Sequence, residues 1–277
     1  RDVERSRGLG DVYKRQITLT TISVLLAWGC ASLPPATSKA AARRALRQAK
    51  ELYQEGEYQS ARVLFQTYRS AQISSSERGE AFYWEGMCHL ALREFGPARE
   101  KLELALEQGL DPWIRPYLYC ALGESYMGSG KFDLARQAFV KALELDSENI
   151  RLDHVILRIA TCAQRLNKWD EASEYLHRLL RETPDSPLVD QAREKIEYNK
   201  RRFFTVQVGA YKNEEAARKR AVELKTGNVR PFISEIRRGD ETLYCVCIGK
   251  FDSWEKANLQ MQKIRGAGRI EDAIVKP

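Results

Sequence analysis

The chain has 277 residues, 43% hydrophobic and 30% charged, room for two modest domains. That composition excludes a polytopic membrane protein and a disordered chain. Its formal charge of +7 is unevenly placed. Residues 201–277 hold 16 Lys/Arg against 10 Asp/Glu, a net of +6, whereas residues 17–200 carry a net of −1. A nearly neutral block thus precedes a small basic one, which predicts two different modules. With only three histidines (His89, His154 and His177), little material exists for His-based catalysis or a His-rich metal site.

Residues 1–16 contain Arg7-Gly8-Leu9-Gly10-Asp11-Val12-Tyr13-Lys14-Arg15-Gln16, a run that resembles translated sequencing-adapter read-through. They are set aside from fold reasoning as a non-native segment, the other reading being a native basic n-region. Residues 17–28 are uncharged and mostly apolar, too short to span a bilayer but suited to a signal-peptide core. The following Gly29-Cys30 resembles a bacterial lipobox, so residues 17–30 read as a lipoprotein signal with Cys30 as the lipidated residue. Ala27 and Trp28 stand where that pattern usually has Leu and a small residue, and an ordinary signal peptide is the alternative. By the same resemblance Ala31 points to outer-membrane sorting, with the membrane reached through the lipid. Residues 31–41, with Pro34 and Pro35, form a linker.

A repeat of period 37 follows. Ala61, Ala98, Ala135 and Ala172 are evenly spaced, each followed four residues later by Phe65, Leu102, Phe139 or Leu176. Tyr58, Phe95, Phe132 and Trp169 stand three residues before them, and Ala49, Gly86, Gly123 and Ala160 twelve before. The pattern predicts helix pairs at 42–55 and 58–71, 79–92 and 95–107, 116–129 and 132–145, and 153–166 and 169–182. Small residues at repeat positions 8 and 20 let paired helices approach, with large ones filling the flanks. A polar-faced capping helix is expected over 187–200, its apolar stripe being Leu188, Ala192 and Ile196. The series from Leu122 and Gly123 through Tyr126, Gly130, Phe132, Ala135 and Phe139 to Ala142 resembles the tetratricopeptide repeat, three residues longer than usual. The resemblance implies an all-α solenoid over 42–200 whose A helices line a groove for a peptide or protein partner. Cys88, Cys120 and Cys162 fall within A helices and read as small buried apolar residues.

From Phe203 the period becomes alternating. Strands are expected at 204–208, 231–236, 243–248 and 270–275, with helices at 214–226, closed by Gly227, and 254–265, stopped by Gly266 and Gly268. Residues 237–240 should turn the chain. The order is βαββαβ, and Val206-Gln207-Val208-Gly209-Ala210-Tyr211 is echoed forty residues on by Val246-Cys247-Ile248-Gly249-Lys250-Phe251. This doublet resembles the sporulation-related repeat (SPOR) domain over 203–277. The fold expected is therefore multidomain, a tetratricopeptide-like all-α solenoid followed by a small α+β SPOR domain.

The resemblance implies binding of peptidoglycan glycan strands stripped of their stem peptides, in cell division or wall organisation. Both helices should cover one sheet face, burying Phe204, Val206, Val208, Val246 and Ile248. The other face is expected to be free and to bind glycan through Thr205, Gln207, Phe232, Ser234, Leu243 and Cys245. Gln207, which matches the family motif, can donate and accept hydrogen bonds at once. Cys245 stands where the family usually has arginine, which removes one donor from that face. It shares a strand face with Cys247, and neighbours so placed are poorly aimed for a mutual disulfide. The same strand plan with +6 charge also suits an RNA-recognition module. Yet the expected open face of the central strands shows Thr205, Gln207, Leu243, Cys245 and Cys247, not aromatics, and no nucleic acid is expected. No nucleophile elbow, HExxH, P-loop or GxGxxG motif occurs, so no enzyme, cofactor or metal is expected.

Overall fold

The computed structural model describes residues 39–145, 148–225, 230–238, 241–266 and 270–277. The adapter-like segment, the expected lipobox with Cys30 and residues 31–38 of the expected linker lie outside the described residues, while its last three residues, 39–41, are already helical. Gly227, Gly268 and, of the turn expected at 237–240, Gly239 and Asp240 also lie outside them, whereas Arg237 and Arg238 continue the second strand of the C-terminal unit.

Among the described residues eight helices pair in sequence: α1 (Lys39–Gln54) with α2 (Tyr58–Arg69), α3 (Ser75–Ala91) with α4 (Phe95–Glu107), α5 (Arg115–Gly128) with α6 (Phe132–Leu145), and α7 (Leu152–Arg165) with α8 (Trp169–Glu182). Each second helix also packs on the first helix of the next pair. The four repeated alanines are fully buried. The small residue at position 8 is required by its large neighbour at position 24, more than by the alanine opposite. A Cβ on Gly123 would stand 2.6 Å from the Phe139 ring, and one on Gly86 would stand 2.7 Å from Leu102. Between repeats, Phe95 closes on Gly128, where a Cβ would meet its ring at 2.4 Å.

The turn inside each pair is also periodic. Gly56, Arg93, Gly130 and Asn167, each five residues before a repeated alanine, have φ of 85°, 61°, 74° and 60°. Each left-handed residue ends its helix, and the amide after it reaches back to close the last turn, as Glu94 N donates to His89 O at 2.8 Å and Lys131 N to Tyr126 O at 2.8 Å. Two of the four sites are not glycine, so composition alone does not reveal this turn. The longer inter-repeat connections take different forms, one containing a 3₁₀ turn at Pro112–Ile114. A ninth helix, α9 (Val189–Asn199), packs on α8.

The C-terminal unit runs β1 (Phe204–Tyr211), α10 (Glu214–Glu223), β2 (Pro231–Arg238), β3 (Glu241–Phe251), α11 (Trp254–Gly266) and β4 (Ile274–Lys276). The sheet order is β2-β3-β1-β4, every pairing antiparallel. Both helices pack on one face over Val206, Val208, Val246 and Ile248, with Ala217 beneath them. The last strand begins later than the sequence suggests. Ile270 and Ala273 are buried in this core ahead of β4, so their apolar character serves packing and not strand pairing.

The two units are docked by aromatic contacts. Trp254 at the start of α11 meets Phe132 edge-on at 5.2 Å, and Arg165 lies 4.3 Å over the same indole. Phe204 packs on Trp169 at 4.9 Å. Arg202 pairs with Asp170 at 2.5 Å, and Lys276 with Glu194 at 2.9 Å.

Candidate functional site

Strand alternation and register place all six expected residues on the sheet face opposite α10 and α11. Gln207 and Phe232 flank Cys247 on neighbouring strands, Ser234 is opposite Cys245, and Ile236 is opposite Leu243. The face is not free, however. Tyr198, at the end of α9, packs onto Cys245, Cys247 and Ile236, with Phe232 and Leu243 at the edge of the contact. Arg201 reinforces the cover by donating to the Ser234 hydroxyl and, at 3.1 Å, to the Glu235 carbonyl.

Ser234 and Cys245 beneath this cover, and Thr205 on the neighbouring strand, are at most 7% exposed, while Gln207, Phe232 and Leu243 remain half-buried. Thr205 donates to the Ile248 carbonyl at 3.3 Å. These three sealed residues therefore support the sheet and its cover in this arrangement. The expected polar outer face of the capping helix is corrected by the same contact, since Glu194, Tyr198 and Asn199 are buried. Cys88 and Cys162 are buried, as their places in the A helices imply, and none of the described cysteines forms a disulfide.

Gln207, Phe232 and Leu243 keep accessible surface. Gln207 borders a recess of about 700 Å³ shared with Tyr211, Arg220, Glu271 and Asp272. Phe232 offers a ring with Lys250 Nζ 5.6 Å from its centroid. Burial pushes the Cys247 thiol up to about 12, which keeps it protonated and a poor nucleophile. Among the described residues no His/Cys/Asp/Glu group has a metal-binding arrangement. On the repeat stack, Trp84 of α3 lies half-buried between Tyr53 and Tyr83, each at 5.4 Å, with Lys50 5.4 Å from its ring.

A second set of polar groups gathers where the units meet. Gln164 of α7 accepts from Lys195 Nζ at 2.9 Å and donates to Asn199 at 2.6 Å, and Asn199 donates to Ser173 at 3.0 Å. These groups escaped the sequence reading, as did Tyr198. The one available signal was that Tyr198 stands off the Leu188, Ala192 and Ile196 stripe.

The fold and this geometry agree with the comparisons. The model of the SPOR domain family matches residues 200–276, and two tetratricopeptide repeat models match residues 40–112 and 126–196. The chain carries tetratricopeptide repeats and a C-terminal SPOR domain. Both are families of binding modules, the SPOR domain for peptidoglycan of the bacterial envelope and the repeats for proteins. No curated protein matches the chain.

Solved structures resemble its helical part. The apo form of RapI aligns with a TM-score of 0.51 at 16% identity, over 58% of this chain and 63% of that one. YrrB, described as a TPR protein with an unusual peptide-binding site, aligns at 0.47 and 18% identity, over 56% and 74%. The Arabidopsis OM64 TPR domain aligns at 0.40 and 18% identity, over 45% and 98%. At such identities the likeness concerns the fold of the repeats alone. No helix among the described residues is long and apolar enough to cross a membrane.

Proposed function

We propose that this protein is a non-enzymatic envelope lipoprotein that ties a protein partner to peptidoglycan, in cell division or wall organisation. The SPOR domain holds glycan strands stripped of stem peptides. The repeat groove, with Trp84 among its aromatics, takes the partner, and a lipid on Cys30 provides the attachment to the outer membrane. The observation that carries the reading is the SPOR match over residues that fold as a β2-β3-β1-β4 sheet with both helices on one face.

Within the SPOR domain, Gln207, Phe232 and Leu243 are the glycan contacts of choice, because they keep exposure at the edge of the Tyr198 cover. Gln207 supplies a donor and an acceptor for hydroxyls or N-acetyl amides, and the two apolar side chains cover a sugar ring face. Thr205, Ser234 and Cys245 join them only where the cover is displaced.

Sedimentation of the full chain with washed sacculi tests this reading. Retention by amidase-treated sacculi above that by untreated sacculi is expected, reduced at least tenfold by Gln207→Ala with Phe232→Ala and weakened only modestly by salt. Failure to sediment with either preparation overturns the reading, and steep salt dependence revives a polyanion ligand.

A further inference from the structure

A cavity of about 510 Å³ opens between the repeat stack and the SPOR domain, within the usual range for small-ligand sites. It is walled by Gln164 and Arg165 of α7, Glu194, Lys195 and Tyr198 of α9, and Lys276 of β4. Arg165, Lys195 and Lys276 thus line it together with Pro277 and with the Glu194 carboxylate, which Lys276 engages at 2.9 Å. None of the described ion pairs includes Arg165 or Lys195. The Arg165 guanidinium rests on ring faces, 4.3 Å from Trp254 and 5.9 Å from Phe132. Lys195 spends one donor on Gln164 and stays partly accessible. The Tyr198 hydroxyl, in a side chain only 3% exposed, has no hydrogen-bond partner.

Such a recess holds more positive charge and more donors than the protein uses. Enclosing an ammonium and a guanidinium that no carboxylate engages in a described ion pair is costly, and an entering anion offsets that cost. Burial, helped by Arg165, Lys276 and Arg158 and opposed by Glu194, pushes Lys195 down to about 7. Burial likewise lowers Arg165 to about 10, against the pull of Cys162 and Glu255.

The cavity also lies beside the candidate glycan face. Ile274 to Lys276 line it, and the same strand pairs with β1 at Thr205 to Gln207. The ligand of the proposed function carries a matching group. In an intact strand each muramoyl lactyl carboxyl is locked in an amide to its stem peptide. Hydrolysis of that amide leaves a free carboxylate on the sugar.

We propose that this inter-unit cavity binds the lactyl carboxylate of a stripped muramoyl residue, with Lys195 and Arg165 as the charges that hold it. The proposal rests on the glycan-binding reading and explains selectivity within it: a peptide-bearing strand presents a neutral, bulky amide where the cavity requires a small anion. Binding a carboxylate raises the Lys195 pKa, so affinity declines as pH rises through that value.

The test uses the full chain and soluble amidase-treated glycan strands in two forms, one with free carboxylates and one converted to methylamides with carbodiimide and methylamine. Methylamidation is expected to weaken wild-type binding at least about tenfold, as for loss of a charge-assisted contact. Lys195→Gln with Arg165→Gln should bind both forms alike, at the level of the wild type with methylamide strands, while Lys195→Arg retains the preference. Equal wild-type affinity for the two forms overturns the carboxylate proposal and leaves the proposed function standing. An undiminished preference in the double variant removes the cavity as its source. Absence of binding to either form overturns both readings. The wild-type comparison decides the carboxylate question even where a variant fails to fold.

Discussion

In the repeats the partners of a buried small residue lie close along the chain: Gly123 receives Phe139, as Gly86 receives Leu102 one repeat earlier. In the SPOR domain one sheet face is closed by that domain's own helices, and the other by Tyr198 from a helix outside the sheet. The first kind of closure repeats every 37 residues and leaves an imprint on the sequence. The second occurs once, between units with different periods, and leaves almost none. A module's outward surface is therefore a property of the whole chain, even when its interior is its own.

Breaking the once-only contact should produce the larger effect. Tyr198→Ala removes an almost fully buried ring and should cost about 3 kcal/mol. It should also open Cys245 and Cys247 to thiol reagents, read as a rise in labelling rate in the native protein. Tyr198→Phe separates the ring from its hydroxyl. Since that hydroxyl is buried and unpartnered, the variant should be neutral to about 1 kcal/mol more stable, with labelling unchanged. Unchanged labelling in Tyr198→Ala would show that the face is covered by something other than this ring.

The periodic contact is tested by Ala135→Leu, which places three more heavy atoms where exposure is 0%. The expected loss is about 1–3 kcal/mol in thermal or denaturant unfolding, spreading to the repeats on either side. Unchanged stability would put the repeat register in error. A smaller effect concerns the junction between units. Lys195 binds its proton less readily in the folded chain than in the unfolded one, where its pKa is about 10.4. The unfolded state thus holds the extra proton between about pH 7 and pH 10, and stability should rise with pH across that window. Lys195→Gln should flatten the rise. An identical pH profile in the variant would assign it to other groups.

These contrasts also explain which parts were legible in the sequence. Helices α4, α6 and α8 run over the spans that the period assigns them, and the others differ by a few residues at their ends. The two faces of β1, β2 and β3 follow from alternation. The last strand was misplaced because Ile270 and Ala273 are apolar for the core and not for the ladder. Of the candidate site, alternation identifies the shared face of Thr205, Gln207, Phe232, Ser234, Leu243 and Cys245, but carries no information about what lies above it. That is decided by Tyr198 and Arg201, whose partners are more than thirty residues away.

The docking of the SPOR domain has a mechanical consequence. The connection from α9 to β1 is only four residues, 200–203, and taken alone it would carry any pull between the units along a single peptide strand. Trp254 on Phe132, Phe204 on Trp169, Arg202 with Asp170 and Lys276 with Glu194 instead bind the same two bodies at separate points. Tension applied to the sheet is shared among these contacts in parallel and enters the stack through α6, α8 and α9 together. The helical array then works as a stiff strut, and yielding begins where the fewest of these points remain engaged.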